Sequence, residues 1–145
     1  MADRTRRRRA VWESPHQFEE AMRRREAFAR WRPEFVSLYA HHGLRRRADH
    51  HYELKCLPSV EAEMYEQASR YDPWPALARL AVPSLLIRAA GSELNGRGVV
   101  SPGAAERIPM CVEQRIESSH FVPMEQPEQV LVAMESLFAG AAPNR

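Results

Sequence analysis

A short, continuous apolar run at residues 82–88 constrains the fold of this chain more than any other feature. The run reads VPSLLIR, which has the length of a β-strand and the composition of a strand covered on both faces, as in parallel sheets. A second strand is predicted at residues 111–116, with a short helix at 102–108 between the two and an amphipathic helix at 127–138 after them. The residues of this last helix expected to face inward are Val130, Leu131, Met134, Leu137 and Phe138. The order strand–helix–strand–helix predicts a parallel crossover unit, and therefore an α/β fold for this part of the chain.

The residues before this unit read as helices rather than strands. The predicted helices cover residues 15–31, 33–42 and 58–70. Ser14 is a suitable N-cap for the first of them, with Pro15 at the first helical position and Gln17 placed to form a capping box. Gly43 is predicted to end the second helix, and the polar segment 44–55 that follows reads as turns.

Composition indicates a globular protein of one domain's length. The 145 residues are 44% hydrophobic and 28% charged, which is ordinary for a folded protein and argues against wholesale disorder. No apolar run approaches 18 residues, so no transmembrane helix is predicted. Residues 1–9 are basic but lack the apolar stretch of a secretory signal, and Cys56 and Cys111 lie too far apart to suggest a disulfide framework. These features predict a protein of the cytoplasm.

The positive charge of the chain is almost entirely arginine. Lys55 is the only lysine, and the formal net charge of +2 is too small to indicate nucleic-acid binding by itself. Local arginine clusters occur at residues 6–9, 23–25 and 45–47. A terminal arginine run is more often a solvated tail than a nucleic-acid arm, so residues 1–10 are predicted to form a disordered basic tail. Nucleic acid is therefore not the expected partner.

Two pairs of adjacent histidines, His41 with His42 and His50 with His51, raise the question of a metal site. Adjacent side chains point to different sides of a helix or strand, and no cluster of cysteines or carboxylates with ligand spacing lies nearby. Neither a metal ion nor another cofactor is predicted.

A third histidine, His120, stands in a segment of unusual composition. Residues 118–130 read SSHFVPMEQPEQV, and they place His120 after the second predicted strand and before the last helix. Pro123 and Pro127 fix the backbone locally and separate one element from the next. A histidine on so short and stiff a turn has a defined direction, as a general base requires. The alternative is a loop histidine whose ring is satisfied by the backbone or by water.

Residues 73–140 resemble the end of an α/β-hydrolase. The VPSLLIR run is similar to the strand that precedes the catalytic acid in that family, and Gly91–Ser92–Glu93–Leu94 falls where the acid belongs. The sequence HFVPMEQP from His120 is similar to the family's GHFxPxEQP turn. The resemblance implies that residues 73–145 are the C-terminal part of an α/β-hydrolase core, with two parallel strands and flanking helices. It also implies that residues 11–72 are a mainly helical cap.

The resemblance implies a role for two residues. His120 is the general base that takes a proton from the nucleophile, and Glu93 is the acid that orients its imidazole. The order of acid before histidine agrees with that of the family. Three departures stand beside this agreement: Ser119 replaces the usual glycine, Glu93 replaces the commoner aspartate, and no G-x-S-x-G nucleophile elbow or glycine-rich oxyanion segment occurs in these 145 residues.

These observations lead to three hypotheses about function. The first is hydrolysis of an ester, an epoxide or a related acyl bond in a small-molecule substrate, with this chain as a truncated hydrolase that is inactive alone because it lacks the nucleophile. The second is a non-catalytic remnant, or one half of a split protein, that docks with a partner supplying the N-terminal strands, since two strands alone make a poor parallel sheet. An arginine-rich binding module is a third and weaker hypothesis. The identity of the substrate and the oligomeric state do not follow from the sequence.

Overall fold

A computed structural model describes residues 2–68, 70–91 and 103–141 of the chain. The chain divides into two compact units, Met1–Tyr71 and Asp72–Arg145. Within the described ranges, no helix combines the length and the apolar character needed to cross a membrane.

The first unit is mainly helical and contains a small antiparallel sheet. Its elements are α1 (Ala2–Arg6), β1 (Val11–Trp12), α2 (Pro15–Arg23), a 3-10 turn (Glu26–Phe28), α3 (Pro33–Gly43), β2 (Leu44–Arg46), β3 (Tyr52–Leu54) and α4 (Pro58–Ala68). The strand order is β1–β3–β2. The core joins one face of α2 and α3 to the inner side of this sheet. Its buried side chains are Trp12, Phe18, Met22, Val36, Ala40, Leu44 and Leu54.

The segment 44–55 corrects the prediction of turns, because it forms the β2–β3 hairpin. Leu44 lies opposite Leu54, and both side chains are buried. Arg45 lies opposite Glu53, and their side chains are joined by an ion pair of 3.0 Å. Cross-strand pairs of this kind stabilise a hairpin. Strands of three residues are too short to show the alternation on which a sequence-based prediction depends.

The helices α2 and α3 begin where the sequence predicts, but α2 ends at Arg23 rather than at residue 31. Ser14 caps α2 as predicted, since its Oγ accepts a hydrogen bond from the backbone N–H of Gln17 at 3.1 Å. The Gln17 side chain accepts from the N–H of Glu13 rather than from that of Ser14, so the capping box is displaced by one residue. Gly43 is the last residue of α3. A Cβ at this position would lie 2.9 Å from the ring of Tyr39, which explains the absence of a side chain there.

The start of the chain differs from the predicted disordered tail. Residues Ala2–Arg6 form α1, and Thr5 on this helix is buried. Arg6 pairs with Glu66 of α4 at 3.0 Å, and Arg8 pairs with Glu61 of the same helix. Carboxylates on α4 therefore balance part of the arginine run, which a reading of residues 1–10 alone could not reveal.

The second unit contains the predicted parallel pair of strands. Its elements are α5 (Trp74–Leu77), β4 (Ser84–Ala89), α6 (Ala104–Arg107), β5 (Cys111–Ile116), α7 (Val122–Glu125) and α8 (Pro127–Ala141). The register of the sheet runs from Ser84 opposite Cys111 to Ala89 opposite Ile116. Arg88 of β4 makes a bidentate ion pair with Glu113 of β5, with both N–O distances at 3.0 Å. This pair joins the two strands on one face of the sheet.

The last helix corrects the prediction of its inward face. Ala133 is buried and Val130 and Leu137 are half-buried, so these three residues form the inner stripe. The outer stripe consists of Leu131, Met134 and Phe138, which are 57%, 41% and 65% exposed. A sheet of two strands is too narrow to cover the whole apolar arc of α8, so three of the five predicted positions remain open to solvent.

Candidate active site

The site begins where β5 ends, on the segment that carries His120. Ser118 is fully buried, and its hydroxyl donates to the carbonyl oxygen of Ser119 at 2.7 Å. His120 itself is exposed, and its ring lies edge-on to that of Phe121 with 5.5 Å between centroids. The imidazole of His120 is therefore accessible, while the backbone before it is held by the buried Ser118. The turn lies at the carboxyl end of a parallel strand, where open α/β sheets place their functional groups.

The end of β4 lies beside this turn. The N–H of Ala90 donates to the carbonyl oxygen of Ile116 at 2.8 Å, and the N–H of Gly91 donates to that of Ser118 at 3.1 Å. The ladder between the strands thus continues to within two residues of His120. Glu93, the predicted acid, lies outside the described residues, two positions after Gly91 in the sequence. Its role remains a prediction.

A buried carboxylate that the sequence analysis does not single out holds the histidine turn. Glu125 is only 6% exposed, and one of its oxygens accepts from the backbone N–H of Ser119 at 2.9 Å. The other accepts a short hydrogen bond from the Ser119 hydroxyl. The same hydroxyl oxygen also accepts from the N–H of Phe121 at 3.3 Å. The signal that could have revealed this is an acid six residues after a serine, with Pro123 between them at a position that suits the first turn of a helix.

Among the described residues of the second unit, the shifted pKa values belong to an ion pair on the sheet. The bidentate hydrogen bonds from Arg88 hold the pKa of Glu113 below its ordinary value, although partial desolvation opposes them and Arg115 assists them. The reciprocal hydrogen bond raises the pKa of Arg88. This pair ties the strands together and contains no group that could exchange a proton near neutral pH, so it serves the sheet and not the chemistry.

The other candidate groups of the sequence have local partners. His50 lies 2.9 Å from an Arg46 nitrogen, and the His51 ring lies 3.1 Å from the carbonyl oxygen of Asp49. Arg47 pairs with Asp49 at 3.0 Å, which lowers the pKa of that carboxyl group. Among the described residues, no group of three or more metal-ligating side chains is close enough to hold an ion. The hairpin is therefore a network of surface pairs, and its arginines are partly neutralised.

Comparison with solved structures identifies the fold. No protein-family model matches the chain, and no curated protein matches its sequence. The hydrolase of E-2-(acetamidomethylene)succinate superposes with a TM-score of 0.75 at 18% identity, over 95% of this chain and 52% of its own. The peroxisomal α/β-hydrolase Lpx1 of Saccharomyces cerevisiae gives 0.75 at 14% identity, over 99% of this chain and 41% of its own. An esterase of Mycobacterium tuberculosis gives 0.62 at 14% identity, over 95% and 46%.

These matches agree on one fold and differ from this chain in length. At identities of 14–18%, they establish a common fold and leave the activity open. The chain spans about half the length of each of the solved structures. The parallel strands, the flanking helices and the mainly helical first unit thus have the α/β-hydrolase fold, over about half the length of the hydrolases that share it.

Proposed function

We propose that this chain supplies the histidine and the acid of an α/β-hydrolase that cleaves an ester, an epoxide or a related acyl bond in a small molecule. The observation that carries the proposal is the position of His120, exposed on an anchored turn directly after the second parallel strand. The names of two structural neighbours, a hydrolase of an acetamidomethylene succinate and an esterase, support acyl-bond chemistry as the class.

In an acyl transfer of this kind His120 moves one proton in each half of the reaction. In the first half it takes the proton of the nucleophile's hydroxyl as the oxygen attacks the acyl carbon, and it gives that proton to the departing alcohol. In the second half it takes a proton from the water that attacks the acyl-enzyme, and it returns this proton to the nucleophile's oxygen as the carboxylic acid leaves. Glu93, as a carboxylate beside the ring, would orient the imidazole and stabilise its charged form. In this proposal residues 73–145 are part of the catalytic core and residues 11–72 are a helical cap. The free thiols Cys56 and Cys111 favour the cytoplasm.

The nucleophile and the oxyanion donors are not among the recognisable motifs of this sequence. The proposal therefore needs a polypeptide that carries a G-x-S-x-G elbow. The DNA upstream of Met1 is the first place to search for a reading frame that encodes this elbow. The polypeptide that it encodes should then be expressed together with this chain. We expect no p-nitrophenyl ester hydrolysis by this chain alone and measurable hydrolysis by the pair.

Variants of the pair test the assigned roles. His120→Ala should lower kcat by about 10²–10⁴-fold, the usual contribution of a general acid–base group. Glu93→Gln should lower it as well, while His16→Ala on the exposed face of α2 is the matched control and should leave it unchanged. Hydrolysis that survives His120→Ala would show that this histidine is not the base.

A second candidate function is docking without catalysis, and one observation favours it. The apolar side chains of the outer stripe of α8 are exposed: Leu131, Met134 and Phe138. Val112 on β5 is also exposed, at 61%. Exposed apolar side chains in this number are what an interaction surface would supply. Sedimentation of the full chain tests the idea: self-association or binding of a complementary half supports it, and a monomeric chain that unfolds cooperatively without a partner contradicts it.

A further inference from the structure

The histidine turn is held by a hydrogen-bonded pair, Ser119 and Glu125, that the proton transfer itself does not use. Both oxygens of the Glu125 carboxylate accept from Ser119, one from its backbone N–H and the other from its hydroxyl. A carboxylate that is 6% exposed is costly to bury unless donors compensate it. Hydrogen bonds to a charged group are stronger than those between neutral groups. Glu125 therefore fixes the position of Ser119 more firmly than one neutral hydrogen bond could.

The Ser119 hydroxyl also reaches across His120. Its oxygen accepts from the N–H of Phe121 at 3.3 Å while its proton is donated to Glu125. The residue before His120 and the residue after it are thereby tied to one carboxylate. His120 has little backbone freedom between these two attachments, and a side chain on a fixed backbone samples fewer directions.

The carboxylate is itself carried on a rigid support. Glu125 is the last residue of α7, which begins at Val122, and Pro127 starts α8 two residues later. Val122 is buried, and the N–H of Gln126 donates to the carbonyl oxygen of Val122 at 2.8 Å. Glu125 thus stands directly before the long helix α8, and its carboxylate connects that end of the helix to the histidine turn.

Part of this arrangement depends on a residue that distinguishes this chain. Glycine commonly stands at the position of Ser119 in the family that the segment resembles, and glycine has no hydroxyl. A glycine here could keep the N–H bond to Glu125 but would lose both contacts made by Oγ. The serine therefore adds two attachments at the cost of backbone freedom that glycine would allow.

We propose that Ser119 and Glu125 are positioning residues for His120, acting as a clamp that fixes the direction of its imidazole. The proposal rests on the proposed function, in which His120 is the general base. It assigns no proton transfer to either clamp residue. A base that must align with both a nucleophile and a leaving group benefits from such restraint, because misplacement by about 1 Å can cost a hundredfold in rate.

NMR relaxation of the full chain tests the clamp without any need for activity. The backbone order parameter of His120 should be near 0.85 in the wild type and should fall below about 0.6 in Glu125→Ala. Glu125→Gln keeps one of the two acceptor oxygens and should restore part of the order. Ser119→Ala removes only the hydroxyl contacts, without the added backbone freedom of glycine, and should give an intermediate value. Glu135→Ala, on the exposed face of α8, is the matched control.

The imidazole gives a second readout that a merely structural role does not move. The ring ¹⁵N and ¹³C signals of His120 should be single and sharp in the wild type and should broaden or average in Glu125→Ala and Ser119→Ala. If Glu125→Ala does not fold, the comparison of Ser119→Ala with wild type decides. An ordered His120 with unchanged ring signals in the folded variants would overturn the clamp. Failure of the proposed function is a separate outcome, which would be seen as ester hydrolysis by the pair that survives His120→Ala.

Discussion

The backbone N–H of Gly91 donates a hydrogen bond to the carbonyl oxygen of Ser118, with 3.1 Å between nitrogen and oxygen. This bond lies beyond the last register pair of the sheet, Ala89 opposite Ile116. The hydrogen-bonded pairing of the two strands therefore continues into the segments that follow them. The segment leading to Glu93 consequently starts beside the segment leading to His120, and this is the structural basis on which an acid–histidine pair could be built.

Removing the Gly91 donor should loosen this junction. Gly91→Pro abolishes the N–H and leaves the Ser118 carbonyl without that partner, at a cost of about 1 kcal/mol in local stability. Hydrogen exchange at the neighbouring Ala90 amide should become about fivefold faster. Gly91→Ala retains the N–H and serves as the control. Equal exchange rates in the two variants would show that the bond does not restrain the junction.

The cap of α2 makes a prediction about the first unit. Ser14→Ala removes the oxygen that accepts from the Gln17 N–H, and it should lower the free energy of unfolding by about 1 kcal/mol. Ser14→Asp replaces the acceptor and should remain within a few tenths of the wild type. Urea denaturation followed by far-ultraviolet circular dichroism measures both variants. An unchanged midpoint for Ser14→Ala would mean that water or a neighbouring side chain takes over the cap.

The sequence was most informative where one residue type decides a local structure. The apolar run ending at Arg88 predicts a strand, and residues 111–116 predict its parallel partner; both strands are present. Ser14 with Pro15 predicts the start of a helix, and α2 begins there. The histidine turn was located from two prolines and the elements on either side of it. Each of these inferences depends on neighbours within a few residues.

What the sequence could not indicate depends on contacts that form only when the chain is folded. Arg6 of α1 and Arg8 just after it pair with Glu66 and Glu61, more than fifty positions away in the chain. The β2–β3 hairpin depends on Arg45 meeting Glu53 across the sheet. Glu125 gave no sign that its carboxylate would be buried against Ser119. Periodicity identified the apolar arc of α8 but not how much of that arc the neighbouring strands could cover.

The two stripes of α8 should respond differently to substitution. Ala133→Leu adds volume at a site that is 3% exposed and should cost about 1–3 kcal/mol in stability. Leu131→Gln changes a side chain that is 57% exposed and should stay within about 0.5 kcal/mol. Thermal unfolding of the two variants makes the comparison. A large loss on Leu131→Gln would show that the outer stripe is covered in solution, as the docking hypothesis requires.

A link between α2 and α3 should make the stability of the first unit depend on pH. The Ser37 hydroxyl donates to the Glu19 carboxylate at 2.7 Å, and this hydrogen bond, followed by those from Arg23, lowers the pKa of Glu19. A carboxyl group whose pKa is lowered by folding stabilises the protein above its unfolded pKa, about 4.3, and loses that stabilisation as the pH falls through its folded pKa.

Substitution of Ser37 tests this link. Ser37→Ala should destabilise the first unit by about 1 kcal/mol at pH 7, because a hydrogen bond to a partly exposed carboxylate is lost. The difference from wild type should shrink as the pH falls through the lowered pKa of folded Glu19, because the carboxyl group then becomes protonated in both proteins. Ser37→Thr retains the hydroxyl and should follow the wild type across the range. Urea unfolding at pH 7, 5 and 3 provides the measurement, and a difference that stays constant with pH would assign the effect of Ser37 to packing rather than to the Glu19 charge.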